Sequence, residues 1–436
     1  MKKSRLVMVG LVLVGLSTLN SCKNEPWGDK TRIVFWTPPF PEQETRDWLV
    51  KYTDKYNEIN TDNVYIDLLF IAQDAWEQTL KTSQATGDAP QLSFENYADI
   101  LRKTMSGLYM PLDDYLPENA FADLYENVNE MTMENNQHYI YPAFTEPYSM
   151  LFYRKSMLNA AGVTPPTSWE EMYQASKVLT TKDRYGIQLI PSAQLGWAIW
   201  GFQAQAGHYL LNDNWDAPLV NDSFNHSLFD VWYRINKEEY TTKVAQESYT
   251  MITPLATGKV AMQLAGSWVI GQLKNDYPNV LDDIGYVPCP TIDGIVDGVT
   301  TSAMGGWGMA MDAHAENPVE AGHFINYLLA GDTNIMLEFF KSTGYSKLSG
   351  RVSVDEYMKT APESANDPFR KFMVEKIAPY SLAEPIYIWE ISRDYAQAME
   401  STYLSNISID NALKALDKKI KDYILANELA GTNPQK

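Results

Sequence analysis

Apolar residues recur along this chain in two rhythms. Short β-branched and apolar runs at 33–36, 64–70 and 91–97 read as strands. Between the first two, Trp48, Leu49, Tyr52 and Tyr56 return at helical spacing, which predicts a helix over about 42–56. Helices are expected at 75–86, closed by Gly87, and from 100 to 105. Strands alternating with helices at this spacing imply βαβ units and a mostly parallel sheet covered on both faces. Further strands are expected at 150–153, 183–190, 284–288 and 305–311, and one leading to Gly266. Helices are expected at 194–206, 229–238, 246–257 (with Pro254 interrupting), 317–329 and 332–340, and a mostly helical tail runs from 361. The polar stretch 212–225 reads as surface loop, and the aromatic, proline-bearing stretch 139–146 as a rigid crossing between lobes.

The segment 150–180 carries the densest local signals. Its apolar strand leads into a short helix stopped by Gly162, and Pro165 and Pro166 then hold the backbone extended. Ser168, with Glu171 three residues on, forms a capping-box pattern for the next helix. This segment resembles one from the extracellular solute-binding proteins of sugar ABC importers, at Leu151, Tyr153, Lys155, Ala161, Gly162, Pro165, Pro166, Trp169 and Glu171. A second resemblance runs through Gly258, Lys259, Ala261, Met262, Gly266 and Trp268, with Leu255 for the family's usual Phe. A third is the glycine-rich 305–311, and Gly107–Tyr115 and 408–420 echo shorter family phrases. Arg154, Lys347 and Asn411 depart from it, standing where the family usually has Asn, Pro and Glu. Asp113 is expected to cap a helix start.

The resemblance implies an α/β, two-lobe periplasmic-binding-protein-like fold with a ligand cleft between discontinuous lobes. Lobe one is expected over 30–144 and 304–350, and lobe two over 147–300 and 355–436. It implies capture of an extracytoplasmic carbohydrate, an oligosaccharide, by cleft closure and its delivery to an ABC transporter permease. The alternatives are a glycan- or solute-binding sensor or surface lipoprotein without its own permease, and a glycoside hydrolase. A monomer without cofactor or metal is expected.

Composition sharpens this in three ways. Lys2, Lys3 and Arg5 precede an apolar run from Leu6 to Leu19, which reads as an export signal over 1–21. Leu19 and Ser21 before Cys22 resemble a bacterial lipobox, so Cys22 is expected to be lipidated and to tether the body to a bacterial membrane through 22–29. The only other cysteine is Cys289, which excludes a disulfide framework. The formal charge of −20 lacks the cationic footprint of a nucleic-acid binder.

Twelve Trp, 27 Tyr and 15 Phe suit a sugar, whose flat C–H face stacks on aromatic rings while polar groups meet its hydroxyls. Position selects Trp36, Glu95 and Asn96 at strand mouths, Trp268 and Trp307 after glycines in family-like motifs, and Trp389 where relatives place a stacking ring. Trp76, Trp197 and Trp200 are weaker candidates, because core packing accounts for them equally well. Enzyme chemistry lacks a foothold. His138, His208, His226, His314 and His323 show no zinc spacing, G-x-S-x-G is absent, and Glu170 and Glu171 fall in a helix's first turn.

Overall fold

Two sheets, each with its own apolar core, organise the computed structural model, which describes residues 25–72, 75–190, 196–242, 250–385 and 389–433. The export segment with Cys22, the start of the helix expected at 194–206 and part of that expected at 246–257 lie outside these residues.

The chain opens with β1 (Thr31–Thr37), α1 (Gln43–Ile59), β2 (Val64–Phe70), α2 (Trp76–Thr86), β3 (Leu92–Asn96) and α3 (Tyr97–Met105). β1 pairs in parallel with both β2 and β3. β4 (Ile140–Pro147) then leads into β5 (Met150–Arg154), the first strand of the second sheet. There follow α4 (Trp169–Leu179), β6 (Tyr185–Gln188), α5 (Ser223–Lys237), β7 (Val260–Ala265), α6 (Val269–Asn275) and β8 (Ile284–Pro288). The second sheet has the order β8-β5-β7-β6. β9 (Ser302–Met311) returns to the first sheet, and α7 (Thr333–Ser342), β10 (Ser381–Ala383), α8 (Trp389–Leu404) and α9 (Ile409–Ala426) complete the chain.

Ile33, Phe35, Leu92, Phe94, Phe324 and Phe339 anchor the first core, and Leu151, Phe152, Ile187, Phe229, Leu264 and Tyr395 the second. Each is built from the strand and helix faces that the apolar spacing marks, and burial of such faces drives the folding of each lobe about its own core. The fold is therefore α/β with two lobes.

Local chemistry sets the turns. Gly87 and Gly162 end their helices in the left-handed region, where glycine carries no Cβ penalty. The capping box at α4 is complete: Ser168 Oγ accepts from the Glu171 amide, and the Glu171 carboxylate accepts from the Ser168 amide.

Some elements differ from the sequence reading. The sheets are more mixed than expected, because the crossing strand β9 runs antiparallel to β3 and β4, and β5 runs antiparallel to β7 and β8. α5 begins at Ser223, inside the stretch read as loop, because the Asp222 carboxylate caps it by accepting from the Asn225 amide at 2.8 Å. Asp113 caps no helix; it accepts from the His138 amide at 2.8 Å and meets that ring's Nδ1 at 2.7 Å. β10 lies in the stretch expected in lobe two, yet pairs in parallel with β9 of the first sheet.

Candidate functional site

The junction between the lobes is built on Tyr148, which links the end of β4 to the start of β5. Its hydroxyl donates to Glu384 Oε2, and Glu384 Oε1 accepts from the Ala98 amide in the first turn of α3 at 2.9 Å. The Glu384 amide in turn donates to the Met304 carbonyl of β9 at 2.9 Å. Burial pushes the Glu384 carboxyl up to about 8, against the hydrogen bonds from Tyr148, Ala98 and Gly306 and with the Asp99 charge. One side chain thus ties together a helix start, a returning strand and the crossing.

The glycines of β9 make this approach possible. A Cβ on Gly305 would sit 2.3 Å from the Glu384 carboxyl and 2.5 Å from the Tyr148 hydroxyl. One on Gly306 would sit 2.2 Å from the Phe144 carbonyl oxygen and 2.4 Å from the Tyr97 ring. The glycine run is there for close packing rather than for turning.

Tryptophans close around Tyr148. Its ring makes edge contacts with Trp197 and Trp200, both at 5.7 Å between centroids, and with Trp268 at 6.5 Å. Trp197 and Trp268 lie 6.0 Å apart. The Trp268 ring folds back over Gly266, where a Cβ would meet it at 2.1 Å. Trp389 joins the same neighbourhood: its ring would lie 3.2 Å from a Cβ on Gly196, the residue before Trp197. Trp268 and Trp200 are buried, Trp197 is partly exposed, and Trp389 is 40% exposed. Tyr209 borders the group by donating to the Ala383 carbonyl at 2.7 Å. Trp268, Trp389 and the pair Trp197 and Trp200, from three separate stretches of sequence, are thus brought together.

The other candidates lie in the first lobe. Trp307 stacks on Phe94 at 6.4 Å with 11° between planes, and is half-buried opposite Asn96 in the sheet register. Trp36 is also half-buried, beside Ser93 in register. Trp76 is buried in the first turn of α2. Glu95 is fully buried, with Oε2 held by Lys103 at 2.8 Å and Oε1 by the Tyr109 hydroxyl at 2.5 Å. Asn96 caps α3, its Oδ1 accepting from the Asp99 amide at 2.8 Å.

Sequence reasoning missed Tyr148, Tyr209 and Glu384. A signal existed for the last: Glu384 stands directly before Pro385, where a helical tail would be broken. It also missed the role of Lys347, which is buried and paired with Glu146 at 2.6 Å. Among the described residues no group of three His, Cys, Asp or Glu side chains is placed to hold a metal ion.

Known proteins match this architecture. The profile of the family described as bacterial extracellular solute-binding protein matches residues 42–332. The chain is 24% identical over 335 residues to the lactose-binding protein of Rhizobium radiobacter, covering 74% of this chain and 76% of that protein. It is 22% identical over 440 residues to the melibiose/raffinose/stachyose-binding protein MelE of Bacillus subtilis, covering 97% of each. Among solved structures, the GacH receptor of Streptomyces glaucescens superposes with a TM-score of 0.76 at 18% identity, over 92% of this chain and 98% of that one. The family match spans well over half of the sequence, and the chain belongs to the bacterial extracellular solute-binding proteins, which capture solutes outside the cytoplasm and do not transform them.

Proposed function

We propose that the protein captures an oligosaccharide between its lobes and delivers it to an ABC transporter permease, tethered to a bacterial membrane through lipid on Cys22. The observation that carries this reading is the convergence of Tyr148, Trp197, Trp200, Trp268 and Trp389 at the interlobe junction. Aromatic faces bury the C–H face of a pyranose, and carboxyl, hydroxyl and indole N–H groups match its rim of hydroxyls. The partly exposed rings of Trp197 and Trp389 offer the accessible surface, backed by Trp268 and Trp200. Trp307, Trp36 and Asn96 would supply the first-lobe side, while Glu95 and Trp76 would act by shaping it. The sugar-binding names of the lactose and melibiose/raffinose/stachyose relatives support the same substrate class. Nothing in the mechanism breaks a bond: differential affinity for the closed form shifts the lobes towards closure, and the joined surface is what a permease reads.

The test is a thermal-shift screen of the purified protein against lactose, melibiose, raffinose, stachyose and maltotriose, with peptides and polyamines as controls. A midpoint that climbs with the logarithm of sugar concentration is the expected result. Trp268→Ala, with folding intact, is expected to weaken binding by about 10- to 100-fold, the loss of roughly 1.5–3 kcal/mol of aromatic burial. A shift with peptide or polyamine alone overturns the substrate class, and slow cleavage of a polysaccharide overturns capture without chemistry.

A further inference from the structure

Glu42 stands where the proline-rich loop after β1 becomes α1, at the helix's N-cap position, but its side chain makes no cap hydrogen bond. It is 1% exposed, and neither carboxyl oxygen has a hydrogen-bond partner on another described residue. An unanswered buried carboxyl calls for a reason.

Its surroundings come from both lobes. On α1 itself, Arg46 is engaged with the Pro41 carbonyl at 2.8 Å and with Gln43 Oε1 at 2.7 Å. β4 contributes Glu146, and the turn after α7 contributes Lys347. These two are committed to each other as a buried pair at 2.6 Å, so the Lys347 charge is already largely answered. The same turn contributes the Thr343 carbonyl. The second lobe contributes α6, whose Gly271 is so close that a Cβ there would lie 2.6 Å from Glu42 Oε1 and 2.8 Å from the Thr343 oxygen. The charged residue of α6, Lys274, is held by the Gly344 carbonyl and Asp367, each at 2.5 Å. Glu44 meets α6 separately, accepting from Asn275 at 2.9 Å.

We infer that Glu42 is a proton-dependent latch between the lobes: neutral while α6 covers it, ionised once the lobes part and water reaches it. The glycine at 271 is what lets α6 seal the carboxyl. The inference rests on the closing motion proposed above, though not on the identity of the ligand.

Burial is the main cause that raises this carboxyl, to about 7, with Lys347 opposing it and Glu146 adding to it. The sign follows. A group raised in the closed form favours closure fully below its open-state value, near the ordinary carboxylate range of about 4.3, and the contribution fades as pH rises through about 7. Between those limits the closed-to-open ratio is expected to grow by up to about tenfold for each unit of pH lost.

The experiment needs no sugar. Spin labels at Asp54→Cys and Lys177→Cys, one on each lobe, report the interlobe distance distribution of the purified protein from pH 8.5 to pH 5. The closed fraction is expected to rise as pH falls through 7. Glu42→Gln, which keeps the shape and removes the titration, is expected to abolish that dependence and hold the lobes closed. Gly271→Ala is expected to favour the open form at every pH. A wild-type distribution that ignores pH, or a Glu42→Gln protein that retains the wild-type pH response, overturns the latch. Neither outcome depends on the sugar screen, so the two readings fail separately.

Discussion

Glu384 shows how one buried carboxyl can be asked to do two things. It orients Tyr148 against three tryptophans, and it sits in a place where its own charge is unwelcome. A carboxyl raised to about 8 in the folded state binds a proton that the unfolded chain has released, so its contribution to folding fades as pH rises through 8. Urea midpoints are therefore expected to fall between pH 6 and pH 9, and Glu384→Gln is expected to flatten part of that fall. Glu42 titrates in the same direction, which is why the flattening is partial. An unchanged slope in Glu384→Gln would remove Glu384 as a cause. The residue scale was also where the sequence was least legible. Glycine-flanked Trp268 could be singled out because Gly266 signals a close approach, and it does lie at the junction. Glu95, at the mouth of β3, could not be told from a ligand group, because its partners Lys103 and Tyr109 are an ordinary helical lysine and a loop tyrosine until the chain is folded.

Elements were far more legible, because their signals are local. The α4 capping box is contained in four residues, and the structure forms it in full. Ser168→Ala is expected to cost about 1 kcal/mol, measured as a lowered urea midpoint with unchanged slope. Gly306→Ala belongs to the other extreme. Its Cβ would press on the backbone of β4 and on Tyr97, neither of which has room to yield, so a loss of about 2–3 kcal/mol is expected in the same assay. The strand directions escaped the sequence because apolar spacing marks a strand and not the neighbour it joins. α5 began earlier than expected for a related reason: Asn, Asp and Ser are loop residues and helix caps alike, and only the Asp222 hydrogen bond separates the two roles.

At the scale of the whole molecule, closure depends on how lightly the lobes hold each other without ligand. α6 meets the first lobe through Gly271 against Glu42, Lys274 on the Gly344 carbonyl and Asn275 on Glu44. The last is an exposed pair, worth little against solvent and side-chain entropy. The Lys274 contact is better placed, since its ammonium is partly buried and is also fixed by Asp367. A sugar can shift such an equilibrium only by its own preference for the closed form, and every contact that closure makes adds to the apparent affinity. Lys274→Ala removes one of these contacts without touching the aromatic junction. It is expected to raise the Kd for the sugar found by screening about three- to fivefold, equivalent to roughly 0.7–1 kcal/mol. The radius of gyration at saturating sugar, measured by small-angle scattering, is expected to match the wild type, because the closed state itself is unchanged. A Kd that does not move would mean that α6 meets the first lobe equally in the open and closed forms. The difference between the two forms would then lie in other interlobe contacts, around the Tyr148 crossing and the glycines of β9.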